Sequence, residues 1–176
     1  VEQDASGHAL KLGLAYAEAI GGAVKKATGN GPDPTVARQH FAEAEVLYLR
    51  ATQAKGDERQ AAFQAAGEKY QAAAERWPGS VLAEDSWFMA GESYFFADNY
   101  PAARDMYDGL TKNFPNSRHL DVLDAHRFAI AQYWLTLDKK DPQPWYEINL
   151  FDRTRPWRDT SGHAFKVFDH IRLDDP

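Results

Sequence analysis

The sequence predicts an all-α protein that is built as a helical solenoid, and three observations support this. No segment of useful length alternates apolar and polar residues in the way a strand does. Breaks that contain glycine or proline divide the chain into segments of helical length. A stretch of sequence also recurs once, because Ala61–Ser80 aligns with Asp98–Ser117 without a gap.

The recurring stretch pairs residues of similar size and type along its whole length. The aligned pairs are Phe63 with Tyr100, Ala65 and Ala66 with Ala102 and Ala103, Tyr70 with Tyr107, Trp77-Pro78 with Phe114-Pro115, and Ser80 with Ser117. An internal repeat of this kind is typical of a solenoid, in which each unit buries its apolar face against the next. Solenoids present long concave surfaces, so the repeat favours a protein that binds other proteins.

Local signals place the predicted helices of the first half. Apolar residues at helical spacing predict a helix over residues 9–27, which the Gly29–Pro32 break ends. Asp33 as N-cap and Pro34 in the first turn start a helix over residues 35–55, which Gly56 ends. Asp57 and Gln60 have the spacing of a capping box, which predicts a helix over residues 57–77.

Similar signals place the helices of the second half. Pro78-Gly79, the Asp98-Asn99 turn and Pro115-Asn116 separate helices over residues 81–97, 100–113 and 118–137. A last helix over residues 162–172 is expected to start from Thr160 or Ser161 as cap. The aromatic residues of segment 145–159 predict an ordered loop that is packed on the last helix pair.

Three regions result from this division. Residues 1–32 form an N-terminal helix and linker, residues 33–138 form the repeats, and residues 139–176 form the loop and the short helix. The last five residues resemble a linker into another repeat, which is the expectation for a fragment of a longer array.

Composition excludes several classes of function. The net charge of −6 disfavours a nucleic-acid binder, which normally carries a basic face. The chain has no cysteine, which excludes disulfides, thiolate metal sites, cysteine nucleophiles and a lipidated cysteine within it. No P-loop, GxGxxG or GxSxG motif is present, so the sequence predicts no catalytic residue and no cofactor.

The spacing of large and small residues within the second unit is diagnostic. Small residues fall where two helices cross closely, large rings fall where they fill a wedge, and a proline falls where the second helix stops. These positions are Trp87, Ala90-Gly91, Tyr94, Ala103, Tyr107 and Pro115. They match the 34-residue tetratricopeptide pattern, so the chain resembles a tetratricopeptide-repeat protein.

A narrower resemblance lies in the joints between units. Residues 77–85 and 114–121 both contain an aromatic-Pro-x-Ser joint that is followed by an acidic residue. This joint is similar to that of BamD-like envelope proteins of bacteria and of the YbgF/CpoB type. The resemblance implies a periplasmic, outer-membrane-associated scaffold without enzymatic activity. Its partners would be other envelope proteins, and it would reach a membrane only through an anchor that this chain lacks.

The tetratricopeptide resemblance also implies a binding groove that is lined by the first helix of each unit. The groove positions of the second unit are Asp85, Phe88, Glu92, Phe95 and Phe96, and those of the third are Ala125, Phe128, Gln132 and Leu135. Apolar anchors beside carboxylates would suit a segment with aromatic or aliphatic side chains and a basic residue. The alternative is that Phe88 and Phe95 belong to the core.

Two further features allow more than one interpretation. His119 and His126, like His163 and His170, lie two helical turns apart, but a zinc site needs three or four convergent ligands, so we expect surface or capping residues. Arg155 and Trp157 belong to a segment in which arginines alternate with acidic residues. That segment could stack on a nucleobase or bind a phosphate, could clamp the loop to the solenoid, or could contact a partner protein or another subunit.

Three functions compete at this point. The first is a scaffold that binds partner segments in the groove. The second is a structural subunit of a large assembly, which would use segment 145–159 as an interface and could self-associate. The third, which has least support, is an enzyme or ligand-binding domain that uses C-terminal histidines and arginines.

Overall fold

The structure is a computed structural model that describes residues 31–144 and 146–174. The described part of the chain contains helices and no strand, so the all-α solenoid prediction is confirmed. The helices are α1 (Pro34–Gln53), α2 (Gly56–Arg76), α3 (Val81–Phe96), α4 (Tyr100–Asn113), α5 (Leu120–Lys140) and α6 (Thr160–Asp174). The helix that was expected over residues 9–27, and most of the N-terminal region 1–32, lie outside the described residues.

The first helix pair consists of α1 and α2, which run antiparallel because the turn between them is short. The Asp33 carboxylate caps α1 as predicted, because it accepts the backbone N–H groups of Thr35 and Val36 at 2.9 and 3.1 Å. The capping box predicted for α2 is wrong, since its N-cap is Lys55, which makes no side-chain cap bond. Gly56 adopts a φ of 55°, which favours glycine, and opens α2 instead of ending α1.

The second helix pair consists of α3 and α4. Ser80 caps α3 by accepting the N–H of Ala83 at 3.0 Å. The two helices cross so closely that a Cβ atom on Gly91 would collide with the ring of Tyr107. A Cβ atom on Gly109 would likewise lie 2.7 Å from the Trp87 ring. The two ring–glycine contacts explain why the unit has small residues at its crossing.

A third ring–glycine contact joins the first pair to the second. The Tyr94 ring of α3 lies over Gly67 of α2, where a Cβ atom would approach the ring to 2.9 Å. Its hydroxyl lies 3.1 Å from the Gln71 side-chain oxygen. Close packing and a hydrogen bond therefore both fix α3 against α2.

The third pair is formed by α5 and α6, which pack against each other across a long connection. The α5 helix begins at Leu120, two residues later than expected. The residue that caps α6 is Asp159, not Thr160 or Ser161, because its carboxylate accepts the N–H of Gly162 at 3.0 Å. A Cβ atom on Gly162 would collide with that carboxylate. The glycine therefore permits the cap.

A continuous core runs through the three pairs. Its largest fully buried side chains are Trp134, Tyr70, Tyr107, Leu110, Leu123 and Ile130. Each of the six described helices contributes a buried apolar residue to this cluster. The odd-numbered helices α1, α3 and α5 form one row of the solenoid, and this row carries the predicted groove positions.

Candidate functional site

Two small clusters connect α3 to α5 along this row. The first cluster contains Asp85 and Phe88 of α3 with Arg118 and His119, which precede α5. The phenyl ring of Phe88 and the imidazole of His119 are stacked, with centroids 4.1 Å apart and planes inclined by 6°. The Asp85 carboxylate accepts from Arg118 at 2.6 Å and lies 3.1 Å from Nε2 of His119.

The second cluster repeats this arrangement two helical turns along. The rings of Phe95 and His126 are stacked at 4.5 Å with an inclination of 7°. Oε1 of Glu92 lies 2.7 Å from Nδ1 of His126 and accepts the Tyr107 hydroxyl at 2.7 Å. Burial, followed by the charge of Glu92, raises the pKa of Tyr107 far above its usual range, so this hydroxyl remains a donor.

The two histidines are the residues that sequence reasoning missed. The expectation of surface or capping residues holds in part, because His119 occupies the N-cap position of α5, but the side chains of both histidines bridge neighbouring helices. A signal for this role was present, because each histidine follows its carboxylate by the same 34 residues, which is close to the length of one unit. The first helices of successive units are neighbours, so a side chain about one unit further along the chain can reach back to the preceding unit.

The five groove positions predicted on α3 therefore divide into two kinds. Phe88 and Phe95 are half-buried under histidine rings, and the Asp85 and Glu92 carboxylates already have partners within the chain. Phe96 lies elsewhere, against α2, with its ring 5.4 Å from that of Phe63. The α3 carboxylates are thus internal connections, and a partner's basic residue would have to compete for them.

The groove positions of α5 are more open. Ala125 and Gln132 are exposed, and Phe128 is 45% exposed while its other edge packs on Phe168 of α6, with centroids 5.5 Å apart. Leu135 is half-buried against the core. The accessible part of the row therefore consists of an aromatic edge beside an amide and a small apolar side chain.

The connection between α5 and α6 is ordered by its polar residues. The Asn149 amide donates to the carbonyl oxygens of Asp152 and Arg155 at 2.6 and 3.0 Å. The Arg155 guanidinium pairs with Asp141 at 2.7 Å and with Asp152 at 3.3 Å. The indole of Trp134 donates to the carbonyl oxygen of Thr154 at 2.7 Å and fixes the loop to α5. Arg155 thus acts as the internal clamp, one of the roles the sequence allowed.

The apolar residues of this connection point the other way. Their side chains are exposed to solvent: Tyr146 by 68%, Leu150 by 62%, Phe151 by 92% and Trp157 by 59%. The loop is attached to the last helix pair as expected, through Trp134 and Asp141, but the exposed side chains of Phe151 and Trp157 do not supply that packing. The position of Trp145 lies outside the described residues. We call residues 146–157 the aromatic loop.

Metal binding and membrane insertion find no support in the described part of the chain. Residues 31–144 and 146–174 contain no group of three or more histidine, aspartate or glutamate side chains that could hold a metal ion. The helices described there include none with the length and hydropathy needed to cross a bilayer.

Helix pairs that stack side by side, with one helix of each pair in a common row, define an α-solenoid. The family model of the tetratricopeptide repeat matches residues 85–117, which cover most of α3, all of α4 and the joint that follows. The match supports a tetratricopeptide-type repeat in this part of the chain and agrees with the helical solenoid seen in the structure. Proteins with this repeat generally mediate protein–protein interaction, which supports other proteins as partners. Neither the curated proteins nor the solved structures gave a significant match.

Proposed function

We propose that this protein is a non-enzymatic scaffold of the bacterial cell envelope that binds segments of partner proteins along the row formed by α1, α3 and α5. The single observation that carries the proposal is the tetratricopeptide repeat, whose first helices form this row. No chemical step is involved, and recognition of a partner's helical or extended segment is the whole activity.

The shape of the row limits how a partner could bind. The stacked Phe88–His119 and Phe95–His126 pairs give it a rigid, half-apolar floor. Phe128 and Gln132 of α5 lie at its accessible side and supply an aromatic edge and an amide. A segment with aliphatic or aromatic anchors and free backbone donors or acceptors would suit this surface.

The cellular location in this proposal rests on the joints between helix pairs. Both joints combine an aromatic residue, a proline and a serine, as in BamD-like envelope proteins. In the structure Ser80 has a defined role, because its hydroxyl caps α3 and donates to the carbonyl oxygen of Trp77 at 2.7 Å. The joint thus sets the angle between successive pairs, which is a structural reason for related scaffolds to share it.

The groove proposal can be tested by capture from a bacterial envelope fraction with quantitative mass spectrometry. The variant Gln132→Arg places a bulky charge on the accessible side of the row, and Lys112→Glu changes an exposed residue at the end of α4. We expect Gln132→Arg to lose partners that Lys112→Glu and the wild type retain. Equal recovery of the same proteins by all three would contradict the proposal.

A second candidate function is a structural subunit of a larger assembly, with the aromatic loop as the interface between copies. The observation that favours it is the exposure of Phe151 and Trp157 on an ordered loop. Sedimentation of the purified chain over a wide concentration range distinguishes it, because a subunit of this kind associates and an adaptor remains a monomer.

A further inference from the structure

The aromatic loop differs from an ordinary surface loop in the direction of its side chains, because polar ones face inward and apolar ones face solvent. Its amide and clamp residues, Asn149 and Arg155, are turned inward and make hydrogen bonds and ion pairs within the chain. Its large apolar side chains are turned outward. An exposed apolar patch of this kind marks an interaction site in soluble proteins. Because the backbone is already fixed by internal bonds, binding to it would cost little ordering of the loop.

Two cavities flank the crest of the loop, which is formed by Leu150 and Phe151. The first has a volume of about 390 Å³ and lies between the loop and the turn that joins α3 to α4, with Pro101 on its far wall. The second has a volume of about 280 Å³ and is bordered by Asp141 and Glu147. Asp152 and Arg155 line both cavities, which differ in that the first also contains Arg153 and the second contains Asp141 and Glu147.

The charges on the first cavity indicate its occupant. Asp152 pairs with Arg155 at 3.3 Å, and Arg155 also pairs at 2.7 Å with Asp141, which borders the second cavity. Arg153 is exposed, lines the cavity and makes no hydrogen bond or ion pair with any residue that the structure describes. A cationic side chain without a partner, placed beside Phe151 and Trp157, matches the aromatic and arginine anchors that dominate interface energetics.

We propose that this cavity is a second docking site, distinct from the groove, for a segment of another protein that carries a carboxylate next to an aliphatic or aromatic side chain. The carboxylate would pair with Arg153 and the apolar side chain would pack against Leu150, Phe151 and Trp157. A symmetric contact with a second copy fits less well, since it would bring the unpaired arginines of two identical patches together.

The test is selection of binders from a phage-displayed library of random short peptides on the intact chain. Selected peptides are then titrated against the wild type, against Gln132→Arg in the groove, and against three further variants. Arg153→Glu reverses the charge, Phe151→Ser removes the crest, and Lys112→Glu applies the same charge change at the far end of α4. All three residues are exposed, so the fold is not at risk.

The expected result is enrichment of peptides that combine an acidic with an apolar residue. Arg153→Glu and Phe151→Ser should each weaken them by roughly tenfold or more, as the loss of an interface anchor does, while Lys112→Glu should have little effect. Binding should also survive Gln132→Arg, which separates this site from the groove. The proposal is overturned if the enriched peptides lack carboxylates or bind Arg153→Glu with the same affinity as the wild type. It is equally overturned if the wild type self-associates and Phe151→Ser abolishes that association.

Discussion

The imidazole of His126 lies face to face with the phenyl ring of Phe95, with ring centroids 4.5 Å apart and planes inclined by 7°. The same imidazole bonds to the Glu92 carboxylate at 2.7 Å. One side chain of α5 thus satisfies both an apolar and a charged neighbour on α3. The Phe88–His119–Asp85 cluster repeats the arrangement, so two histidines hold the third helix pair against the second.

The first prediction concerns this joint. His126→Ala removes the stacked ring and leaves the nearly buried Glu92 carboxylate with Tyr107 as its remaining side-chain partner. We expect the free energy of unfolding to fall by about 1–3 kcal/mol, the cost of depriving a buried polar group of a partner. Urea denaturation measures it. Gln132→Ala, an exposed change on the same helix, serves as control, and an equally small effect of both substitutions would refute the bridging role.

The second prediction concerns the crossing of α3 and α4. Gly→Ala within a helix normally stabilises a protein by about 1 kcal/mol. Gly91→Ala should instead destabilise it by about 1–3 kcal/mol, because the new methyl group meets the Tyr107 ring. A double-mutant cycle with Tyr107→Leu, which shrinks the opposing side chain, should recover part of the loss. Simple additivity of the two substitutions in thermal or urea unfolding would disprove the contact.

The third prediction concerns alkaline stability. Burial, followed by the charges of Glu68 and Glu75, raises the pKa of Tyr94 to about 12. The folded state therefore holds this proton more tightly than the unfolded chain, in which a tyrosine pKa is about 10. The contribution of Tyr94 is complete below that value and declines as the pH rises from about 10 towards 12. Unfolding measured between pH 9 and 11 (roughly the range in which tyrosines begin to ionise) should show a shallower decline for Tyr94→Phe than for the wild type.

The fourth prediction concerns acid stability at α6. Burial, followed by the neighbouring Arg104 guanidinium and then by Lys166, lowers the pKa of His163, and the carboxylates of Asp159 and Asp105 oppose this shift in smaller measure. Arg104 also donates to Nδ1 of His163, which requires the neutral ring. The unfolded state thus binds the proton more readily, so stability is present above about pH 6.5 and is lost as the pH falls.

His163→Gln separates this histidine from the other titrating groups. Glutamine offers an oxygen that can accept from Arg104 but that does not titrate in this range. Between pH 7.5 and 5.5 (about one unit above and below the unfolded histidine pKa) the variant should lose less unfolding free energy than the wild type. Equal losses of unfolding free energy in the variant and the wild type would show that His163 does not couple protonation to stability.

Local signals in the sequence were enough to predict the helix pairs, because each break contains a residue with a specific conformational role. Asp33 caps α1 as predicted, and the Tyr107–Gly91 crossing follows from the repeat pattern. The errors occurred at helix starts, where competing caps lie within a few residues of each other. Gly56 and Asp159 have positive φ values that no pattern of polar residues reveals.

The groove residues were placed on the correct helix, yet their partners could not be derived. In the sequence, carboxylates beside phenylalanines predict an open binding surface. In the structure, the rings of His119 and His126 cover the two phenylalanines, which depends on the position of the neighbouring helix. The aromatic loop was misjudged for a related reason. Composition predicts that the loop is ordered. The direction of each side chain, however, depends on the internal bonds of Asn149 and Arg155, which form only once the chain is folded.

The central claim is that the row formed by α1, α3 and α5 binds other proteins. A photo-crosslinking amino acid placed in turn at Ala125 and Gln132 in the row, and at Lys112 outside it, tests this most directly in a native envelope. The proposed function predicts crosslinks to the same envelope protein from both row positions and none from Lys112. Crosslinks from Lys112 alone, or a pattern that does not differ between the three positions, would contradict it.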